Sequence, residues 1–379
     1  MISRLLENIL IDKFKKKKVI IILGARQTGK TTLIKKISRQ SKEKVLFLNA
    51  DLPLVRQQLE NPSVNELKQI FGEAKLVFID EAQRVKNVGI TLKIIADEIP
   101  EIQLVVTGSS AFDLSNNINE PLTGRKLEYR LYPISWKELI QYAGYLDSLS
   151  QLKQRIVFGM YPDVLNNLGS EKEILYNLTE SYLYKDIIIF QQLRKPEFVQ
   201  KLLQALAHQI GSEVSYNELS NLLQIDRKTV ISYIDLLEKA YVIFRLSAFS
   251  RNLRNELSSK IKIYFYDTGI RNALISDFRP FDTRMDKGAL WENFLVSERL
   301  KANHYSRRYS NCYFWKTHQK QEIDFVEEAD GMLNAYEFKW SPGNKAKIPK
   351  TFTSAYPEAT FEIITSDNFH QFLINETSM

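Results

Sequence analysis

The stretch Val19-Ile-Ile-Ile-Leu-Gly-Ala-Arg-Gln-Thr-Gly-Lys-Thr31 decides the fold of this chain. Its first five residues are apolar and mostly β-branched, which predicts a buried strand, and the residues 31–40 that follow predict a helix. Between them, Gly24 to Thr31 match the phosphate-loop pattern in full. In such a loop the glycines let backbone N–H groups wrap the phosphates, and the helix N-terminus adds a positive dipole.

The loop predicts a binding site for ATP with Mg²⁺. We expect the Lys30 ammonium between the β- and γ-phosphates, where it assists catalysis, and the Thr31 hydroxyl on the metal. The residues predicted to contact the nucleotide are Gly24, Ala25, Arg26, Gln27, Thr28, Gly29, Lys30, Thr31 and Thr32 in the loop and helix, with Ser109 from a later strand.

A second apolar run, Leu76 to Ile79, ends in two consecutive carboxylates, Asp80 and Glu81. Ligands of parallel sheets bind outside the carboxyl ends of the strands, so these side chains are expected beside the phosphate loop. Asp80 is predicted to hold Mg²⁺ through its water shell, and Glu81 is predicted to be the general base for the attacking water.

Two further polar positions allow alternative interpretations. Thr107-Gly-Ser-Ser110 ends the next predicted strand, where its hydroxyls either sense the γ-phosphate or form a turn with a helix cap. Arg125 either reaches a neighbouring active site to stabilise transition-state charge or lies on the surface as an ordinary arginine. The sequence does not decide between the members of either pair.

The chain resembles the AAA+-type P-loop ATPases of bacteria and archaea that carry a winged-helix domain and an uncharacterised nuclease-like C-terminal domain. The resemblance rests on the phosphate loop, Ile79-Asp-Glu-Ala-Gln-Arg84, Thr107-Gly-Ser-Ser110, Gly124-Arg125 and Tyr132-Pro-Ile-Ser-Trp136. Gly159-Met-Tyr-Pro162 is similar to the Gly-x-Pro segment that couples nucleotide state to the next domain in related signal-transducing ATPases. A plain helix-breaking turn explains that segment equally well.

Composition restricts the class of protein without naming it. The chain has 379 residues, 44% of them hydrophobic, which indicates a folded chain of two or three domains. It has a single cysteine, Cys312, and four scattered histidines, which argue against a structural zinc site and fit a cytoplasmic location. No apolar run is long enough for a membrane span. The net charge of +7 permits a nucleic-acid partner but does not require one.

The segment 215–240 has the pattern of a helix-turn-helix, and the strands predicted after it form its wing. Asp226 is the expected N-cap of the second helix. The early exposed face of that helix carries Arg227, Lys228, Thr229 and Ser232, with Arg245, Arg251 and Arg254 in or near the wing. This face either contacts DNA or RNA in a groove or serves only to pack against protein.

Two predicted strands near the C-terminus alternate apolar and charged residues. Tyr336, Phe338 and Trp340 fall on one face, and Glu337 and Lys339 on the other. The pattern resembles the PD-(D/E)xK nuclease fold. That resemblance implies that Asp324 and Glu337 bind Mg²⁺ with support from Glu292, and that Lys339 positions or activates water with catalytic help from Glu337. An ordinary two-sided sheet with a solvated polar face explains the same alternation.

We therefore predict an α/β protein: a P-loop AAA+-type parallel sheet (1–133), a helical lid (134–195), a winged helix (196–268) and a restriction-endonuclease-like domain (269–379). The first function hypothesis is an ATPase whose nucleotide state controls a nucleic-acid-binding or nuclease-like C-terminal region. The second is a non-catalytic, ATP-gated switch or scaffold for protein partners. Assembly into a homo-oligomer is compatible with both hypotheses.

Overall fold

The computed structural model describes residues 2–108, 122–180, 196–250, 260–343 and 347–374. The chain divides into two compact units. The first contains residues 1–134 and 239–241, and the second contains 135–238 and 242–379. Within the described residues, no helix is long and apolar enough to cross a membrane.

The first unit alternates strands and helices. Its strands are β1 (Val19–Leu23), β2 (Val45–Asn49), β3 (Leu76–Asp80), β4 (Gln103–Gly108) and β5 (Lys126–Arg130). Its helices are α1 (Leu5–Lys13), α2 (Lys30–Gln40), α3 (Pro53–Leu59), α4 (Val64–Phe71) and α5 (Val88–Glu98). β1, β3 and the helix after the phosphate loop lie where the sequence predicts them.

The five strands form one parallel sheet in the order β2-β3-β4-β1-β5. Every residue of β1 and of β3 is buried, as expected for strands covered on both faces. Because the strands are parallel, the loops after β1, β3 and β4 open at the same edge of the sheet. The predicted parallel sheet is confirmed, and this edge is where the phosphate loop and Asp80 meet.

The second unit begins with helices and ends with a mixed sheet. Its helices are α6 (Trp136–Ala143), α7 (Tyr145–Ser150), α8 (Leu152–Phe158), α9 (Pro162–Asn166), α10 (Glu171–Leu178), α11 (Pro196–His208), α12 (Tyr216–Leu223), α13 (Arg227–Lys239), α14 (Thr268–Leu274), α15 (Lys287–Ser306), α16 (Lys350–Ala355) and α17 (Phe369–Ile374). Its strands are β6 (Glu213–Val214), β7 (Ile243–Ala248), β8 (Ile261–Phe265), β9 (Asn311–Lys316), β10 (Glu322–Ala329), β11 (Met332–Phe338) and β12 (Thr360–Ile364).

The seven strands of this unit form a single sheet in the order β12-β11-β10-β9-β7-β8-β6. The predicted hairpin is present as the antiparallel pair β7–β8. The sequence did not predict that β7 also pairs in parallel with β9, through Ser247 with Tyr313 and Ala248 with Phe314. The hairpin and the C-terminal strands therefore share one sheet across the predicted boundary at 268/269. The four-part division of the chain stays a prediction.

The C-terminal part of this sheet is covered on both faces. Phe352 of α16 is fully buried among Trp315, Ile323 and Ala335 on one side. On the other side Phe372 of α17 packs against Phe325. Apolar residues that alternate along β10 and β11 supply both cores. The charged residues interspersed with them are thus held next to packed layers, which sets their geometry.

Candidate functional site

The phosphate loop turns sharply at the carboxyl end of β1, and only glycine fits at its start. A Cβ on Gly24 would lie 2.2 Å from the carbonyl oxygen of Leu131, which follows β5. Leu131 in turn donates its N–H to the carbonyl of Leu23 at 2.7 Å. The start of the loop is therefore pressed against the chain that leaves the neighbouring strand.

Lys30, the first residue of α2, folds back over the loop. Its buried Nζ donates to the carbonyl oxygens of Gly24 and Ala25, each at 2.8 Å. The Thr28 hydroxyl also donates to the Ala25 carbonyl, at 2.8 Å. The ammonium thus lies within the loop that the sequence assigns to the phosphates, and it bonds to backbone oxygens there.

Thr31, Asp80 and Thr107 meet at the same edge of the sheet. The Thr31 hydroxyl donates to Asp80 Oδ2 at 2.7 Å, and the Thr107 hydroxyl donates to Asp80 Oδ1. A carboxylate and a hydroxyl are the hard oxygen ligands that Mg²⁺ takes, so these residues fit the predicted metal. Of the two interpretations of 107–110, Thr107 contacts the acidic residue, whereas Ser109 and Ser110 lie outside the described residues.

Glu81 lies just past β3 in a left-handed backbone conformation, with φ of 53°. Such a conformation costs a non-glycine residue on the order of 1–3 kcal/mol and is often kept at functional sites. Its N–H donates to the Thr107 hydroxyl at 3.3 Å, and its Oε2 accepts from Gln83 Nε2 at 2.5 Å. Gln83 is a neighbour that sequence reasoning missed, and its only signal is its place two residues after the carboxylate.

Arg4, at the N-cap of α1, is a second residue that sequence reasoning missed. It is buried, and its guanidinium donates to the carbonyl of Thr28 and to the carbonyl of Tyr132, each at 2.6 Å. No sequence signal points to it, because it precedes the phosphate loop by 20 residues and belongs to no motif.

The other predicted nucleotide contacts occupy the outer part of the loop and the first turn of α2. Arg26 is partly buried, whereas Gln27 and Thr32 are exposed. Gln27 and Gly29 have left-handed φ values of 57° and 94°. The loop therefore presents one polar side chain and a glycine backbone outward.

Arg125 lies at the opposite end of the sheet from the phosphate loop. Its carbonyl accepts the N–H of Val19, the first residue of β1, at 3.0 Å. Its Nε donates to Asp97 at 2.5 Å. The structure therefore does not bring Arg125 to the site of its own chain, and a catalytic role requires a neighbouring copy.

In the second unit, Asp324 and Glu337 come together as the alternation predicts. β10 and β11 are antiparallel, with Phe325 opposite Tyr336, so the two acidic residues occupy adjacent positions on neighbouring strands. Asp324 Oδ2 accepts the N–H of Phe338 at 2.8 Å. Lys339 Nζ donates to Glu337 Oε1 at 2.6 Å.

A lysine that the sequence did not suggest completes this group. Lys262 in β8 has a side chain that is only 2% exposed, and its Nζ lies 2.9 Å from Glu292 Oε1 and 2.7 Å from Glu322 Oε1. Tyr264 donates to the same Glu292 oxygen at 2.6 Å. We call Lys262, Glu292, Asp324, Glu337 and Lys339 the acidic–lysine cluster.

Charge and burial act together on this cluster. Burial raises the pKa of Asp324, and the charges of Glu292 and Glu337 raise it further, to about 8. Burial lowers the pKa of Lys262, but the carboxylates of Glu292, Asp324 and Glu322 outweigh burial and hold its pKa above the ordinary value. Lys262 therefore remains an ammonium and acts as the counter-ion of the carboxylates.

Metal binding by the cluster stays a prediction, and the contacts of its lysines bear on it. Among the described residues, no three histidine, cysteine, aspartate or glutamate side chains are arranged to hold a metal ion. Lysine ammonium groups contact two of the three carboxylates implied as ligands, Glu292 and Glu337. The two-sided sheet with a solvated polar face does not describe the region either, because these carboxylates are partly buried and ion-paired.

The helix-turn-helix is formed by α12 and α13. Asp226 caps α13 as predicted, accepting the N–H of Thr229 at 3.0 Å. Arg227, Lys228 and Ser232 are exposed on its early face. Arg245 differs from expectation, because it is ion-paired with Asp235, at 2.8 Å, and with Glu238.

These pairs hold Arg245 against α13, so it is not available to a phosphate group. The wing arginines Arg251 and Arg254 lie outside the described residues.

The segment Gly159–Pro162 joins α8 to α9. A Cβ on Gly159 would lie 2.0 Å from the buried carboxylate of Asp267, which also accepts the N–H of Met160 at 2.7 Å. Pro162 opens α9, as suits its fixed φ. The segment is a helix break anchored by Asp267, and its coupling role stays a prediction.

Family models match three successive parts of the chain. Residues 16–140 match the family model of an AAA domain. Residues 149–280 match a domain of unknown function, DUF8612, and residues 287–377 match another, DUF4143. The N-terminal unit therefore carries an AAA-family ATPase domain, and two domains of unknown function follow it.

Several curated proteins are similar to most of this chain. An uncharacterized protein of Haemophilus influenzae is 28% identical over 83% of this chain and 80% of its own length. Uncharacterized proteins of Methanocaldococcus jannaschii and Mycobacterium tuberculosis are 25% and 26% identical, over 82% and 85% of this chain and 72% and 70% of their own lengths. Among solved structures, the Walker-type ATPase PABY2304 of Pyrococcus abyssi is 15% identical, with a TM-score of 0.52, over 73% of this chain and 96% of that one. The likeness to that structure concerns the fold.

Proposed function

We propose that this protein binds ATP with Mg²⁺ at the phosphate loop and hydrolyses it. The observation that carries the proposal is the meeting of Thr31, Asp80 and Thr107 at the carboxyl edge of the parallel sheet. A loop of backbone N–H groups beside a carboxylate and a hydroxyl is the arrangement that a nucleoside triphosphate with its cation requires.

Each residue has a distinct task in this proposal. Lys30 leaves the carbonyls of Gly24 and Ala25 when phosphate oxygens replace them, because an anion attracts the ammonium more strongly than a neutral carbonyl does. Thr31, and Asp80 through the water shell, would hold Mg²⁺, which would neutralise charge on the β- and γ-phosphates. Glu81 orients the attacking water and accepts its proton, once its carboxylate is released from Gln83.

The test is the rate of ATP hydrolysis with Glu81→Gln. We expect ATP binding to persist, because the amide keeps the shape of the side chain, and hydrolysis to slow by about 10²–10⁴-fold with the loss of the base. Glu101→Gln, an exposed substitution in the same unit, is the matched control and should hydrolyse ATP at the wild-type rate. Wild-type turnover by Glu81→Gln would refute the assignment of the base.

For the C-terminal region we propose a binding scaffold in preference to a nuclease. The order α15-β9-β10-β11-α16-β12, with β12 parallel to β11, supports the PD-(D/E)xK resemblance at the level of fold. The contacts of Lys262 with Glu292 and of Lys339 with Glu337 support the non-catalytic alternative, because the carboxylates are already neutralised. The assay is cleavage of single- and double-stranded DNA and RNA with Mn²⁺, with and without ATP, and we expect no cleavage.

The early face of α13 supports a second candidate function, the binding of nucleic acid. Arg227 and Lys228 are exposed at its N-terminus, and the chain carries a net charge of +7. Replacing both with alanine should weaken DNA or RNA binding and lower the salt slope by about 2, since each released counterion contributes about 0.9. Lys172→Ala, an exposed charge on α10, is the control. An unchanged slope, or no binding at low salt, would favour protein partners.

A further inference from the structure

The N-terminal segment before β1 reaches the phosphate loop through Arg4. Its guanidinium is buried and donates to the carbonyl of Thr28, inside the loop, at 2.6 Å. A second donor reaches the carbonyl of Tyr132, beyond β5, also at 2.6 Å. One rigid, planar group therefore ties the loop to the chain that flanks it.

The bond to Thr28 fixes the direction of one peptide group. In a trans peptide the C=O of one residue and the N–H of the next point in opposite directions. Since the Thr28 carbonyl is directed at Arg4, the N–H of Gly29 is directed away from it. Gly29 has a φ of 94°, a conformation that glycine adopts without penalty and that lets this peptide keep that orientation.

The loop carbonyls have different partners, and under the proposed function only some of those partners change when an anion binds. Those of Gly24 and Ala25 accept from Lys30, which an incoming phosphate attracts away. The Thr28 carbonyl accepts from Arg4, which is held at the same time by Tyr132. The Thr28–Gly29 peptide is thereby oriented before any ligand is present, and binding does not have to supply the cost of ordering it.

We propose that Arg4 is a positioning residue of the nucleotide site, holding the Gly29 N–H in the direction that receives a phosphate oxygen. The proposal rests on the proposed function of the loop. It extends the site to a residue outside the matched AAA domain, which begins at residue 16. Arg4 touches no phosphate in this role and acts through the loop backbone.

A purely structural role for Arg4 would be to fasten α1 to its unit. The ion pair between Glu7 and Lys36, at 2.7 Å, joins α1 to α2 without contacting the loop carbonyls. Glu7→Gln is therefore the matched control, because it loosens the same helix and leaves the Thr28–Gly29 peptide held. Arg4→Lys retains the charge but loses the two-donor fork, and tests whether the planar geometry is required.

The experiment measures the Kd for ATP with Mg²⁺, kcat, KM and the melting temperature of full-length wild type, Arg4→Ala, Arg4→Lys and Glu7→Gln. We expect Arg4→Ala to weaken ATP binding by about 10-fold or more, as the loss of one charge-assisted hydrogen bond implies. Arg4→Lys should restore part of that affinity, and Glu7→Gln should lower the melting temperature while its Kd stays within about 2-fold of wild type.

The result should be a rise in Kd and KM that exceeds any change in kcat, since the chemical groups are intact. Two outcomes overturn the proposal: Arg4→Ala with wild-type Kd and a lowered melting temperature, or an equal loss of affinity in Glu7→Gln. Failure of the proposed function is distinct from both, because in that case the wild-type protein itself would not bind ATP.

Discussion

The phosphate-loop site and the acidic–lysine cluster each contain lysine and carboxylate side chains, but the lysines have different partners. Lys30 donates to two backbone carbonyls, while the Asp80 carboxylate accepts from the hydroxyls of Thr31 and Thr107. Lys262 and Lys339 donate directly to carboxylates. When a metal ion replaces a hydroxyl as the partner of a carboxylate, no unpaired charge remains. When it replaces a lysine ammonium, the ammonium loses its ion pair, which costs free energy.

The phosphate-loop site can therefore accept a metal cation, whereas the carboxylates of the acidic–lysine cluster are already paired with lysine ammonium groups. The Asp80 carboxylate accepts from the neutral hydroxyls of Thr31 and Thr107, an arrangement of oxygen groups that suits a divalent metal. In the acidic–lysine cluster, Lys262 belongs to the hairpin strand β8, and Asp324 and Glu337 belong to β10 and β11. The pair of Lys262 with Glu322 therefore links β8 to β10, and its pair with Glu292 links β8 to α15.

The largest effect should follow from removing the resident cation of the cluster. Lys262→Met leaves Glu292 partly buried without its ammonium, whereas Glu322 keeps Lys316, and breaking a buried pair costs about 3–5 kcal/mol of unfolding free energy. Mn²⁺ should stabilise Lys262→Met by more than it stabilises wild type, because any binding at Asp80 is common to both proteins. Thermal unfolding without Mn²⁺ and with excess Mn²⁺ measures both the loss of stability and its recovery.

Lys316→Met is the matched control, because Lys316 pairs with Glu213 and Glu322 nearer the surface and does not contact Glu292. Its loss should cost about 1 kcal/mol or less. If wild type gained as much stability from Mn²⁺ as Lys262→Met does, the contrast between the two sites would disappear.

A smaller effect is expected at the phosphate loop. Lys30→Ala removes a charge-assisted contact to phosphate, so ATP affinity should fall by about 10- to 100-fold. The fold should persist, because the carbonyls of Gly24 and Ala25 lose only one donor and Thr28 still reaches the latter. Titration of a fluorescent ATP analogue measures the affinity, and circular dichroism checks the fold. If the affinity for ATP did not fall, Lys30 would not be an anion-binding lysine, and its contrast with the carboxylate-bound Lys262 would be lost.

The effect that is smallest per measured step concerns pH, because it is spread over several pH units. The pKa of Asp324 is raised to about 8 from an ordinary 3.8, so between these values the folded state keeps a proton that the unfolded state has released. Stability should therefore fall as pH rises through this window, by up to about 1.4 kcal/mol per pH unit from this group. Asp324→Asn should make the free energy of unfolding depend less on pH.

Urea unfolding at pH 5, 6, 7 and 8 measures how the free energy of unfolding changes with pH. Glu358→Gln, an exposed change in the same unit, should leave the wild-type slope unchanged. An Asp324→Asn profile as steep as that of wild type would show that Asp324 is ionised throughout, like a carboxylate poised for a cation.

The sequence by itself determined the parts of the protein that depend on neighbours along the chain. The buried strand, glycine loop and helix at 19–40 form as their local pattern predicts, because β-branched runs, glycine turns and helical spacing are short-range signals. The same holds for the capped helix at Asp226 and for the alternation that brings Asp324 beside Glu337. These features needed no knowledge of the rest of the chain.

The tertiary structure alone decided which distant side chains complete each site. Arg4 reaches Tyr132 across 128 positions, and Lys262 in β8 reaches Glu292 in α15. It also placed Arg125 at the far end of β1 from the phosphate loop. The physical reason is that an isolated lysine or arginine carries no periodicity and has many possible partners. Only the packing of strands and helices selects the carbonyl or carboxylate that it meets.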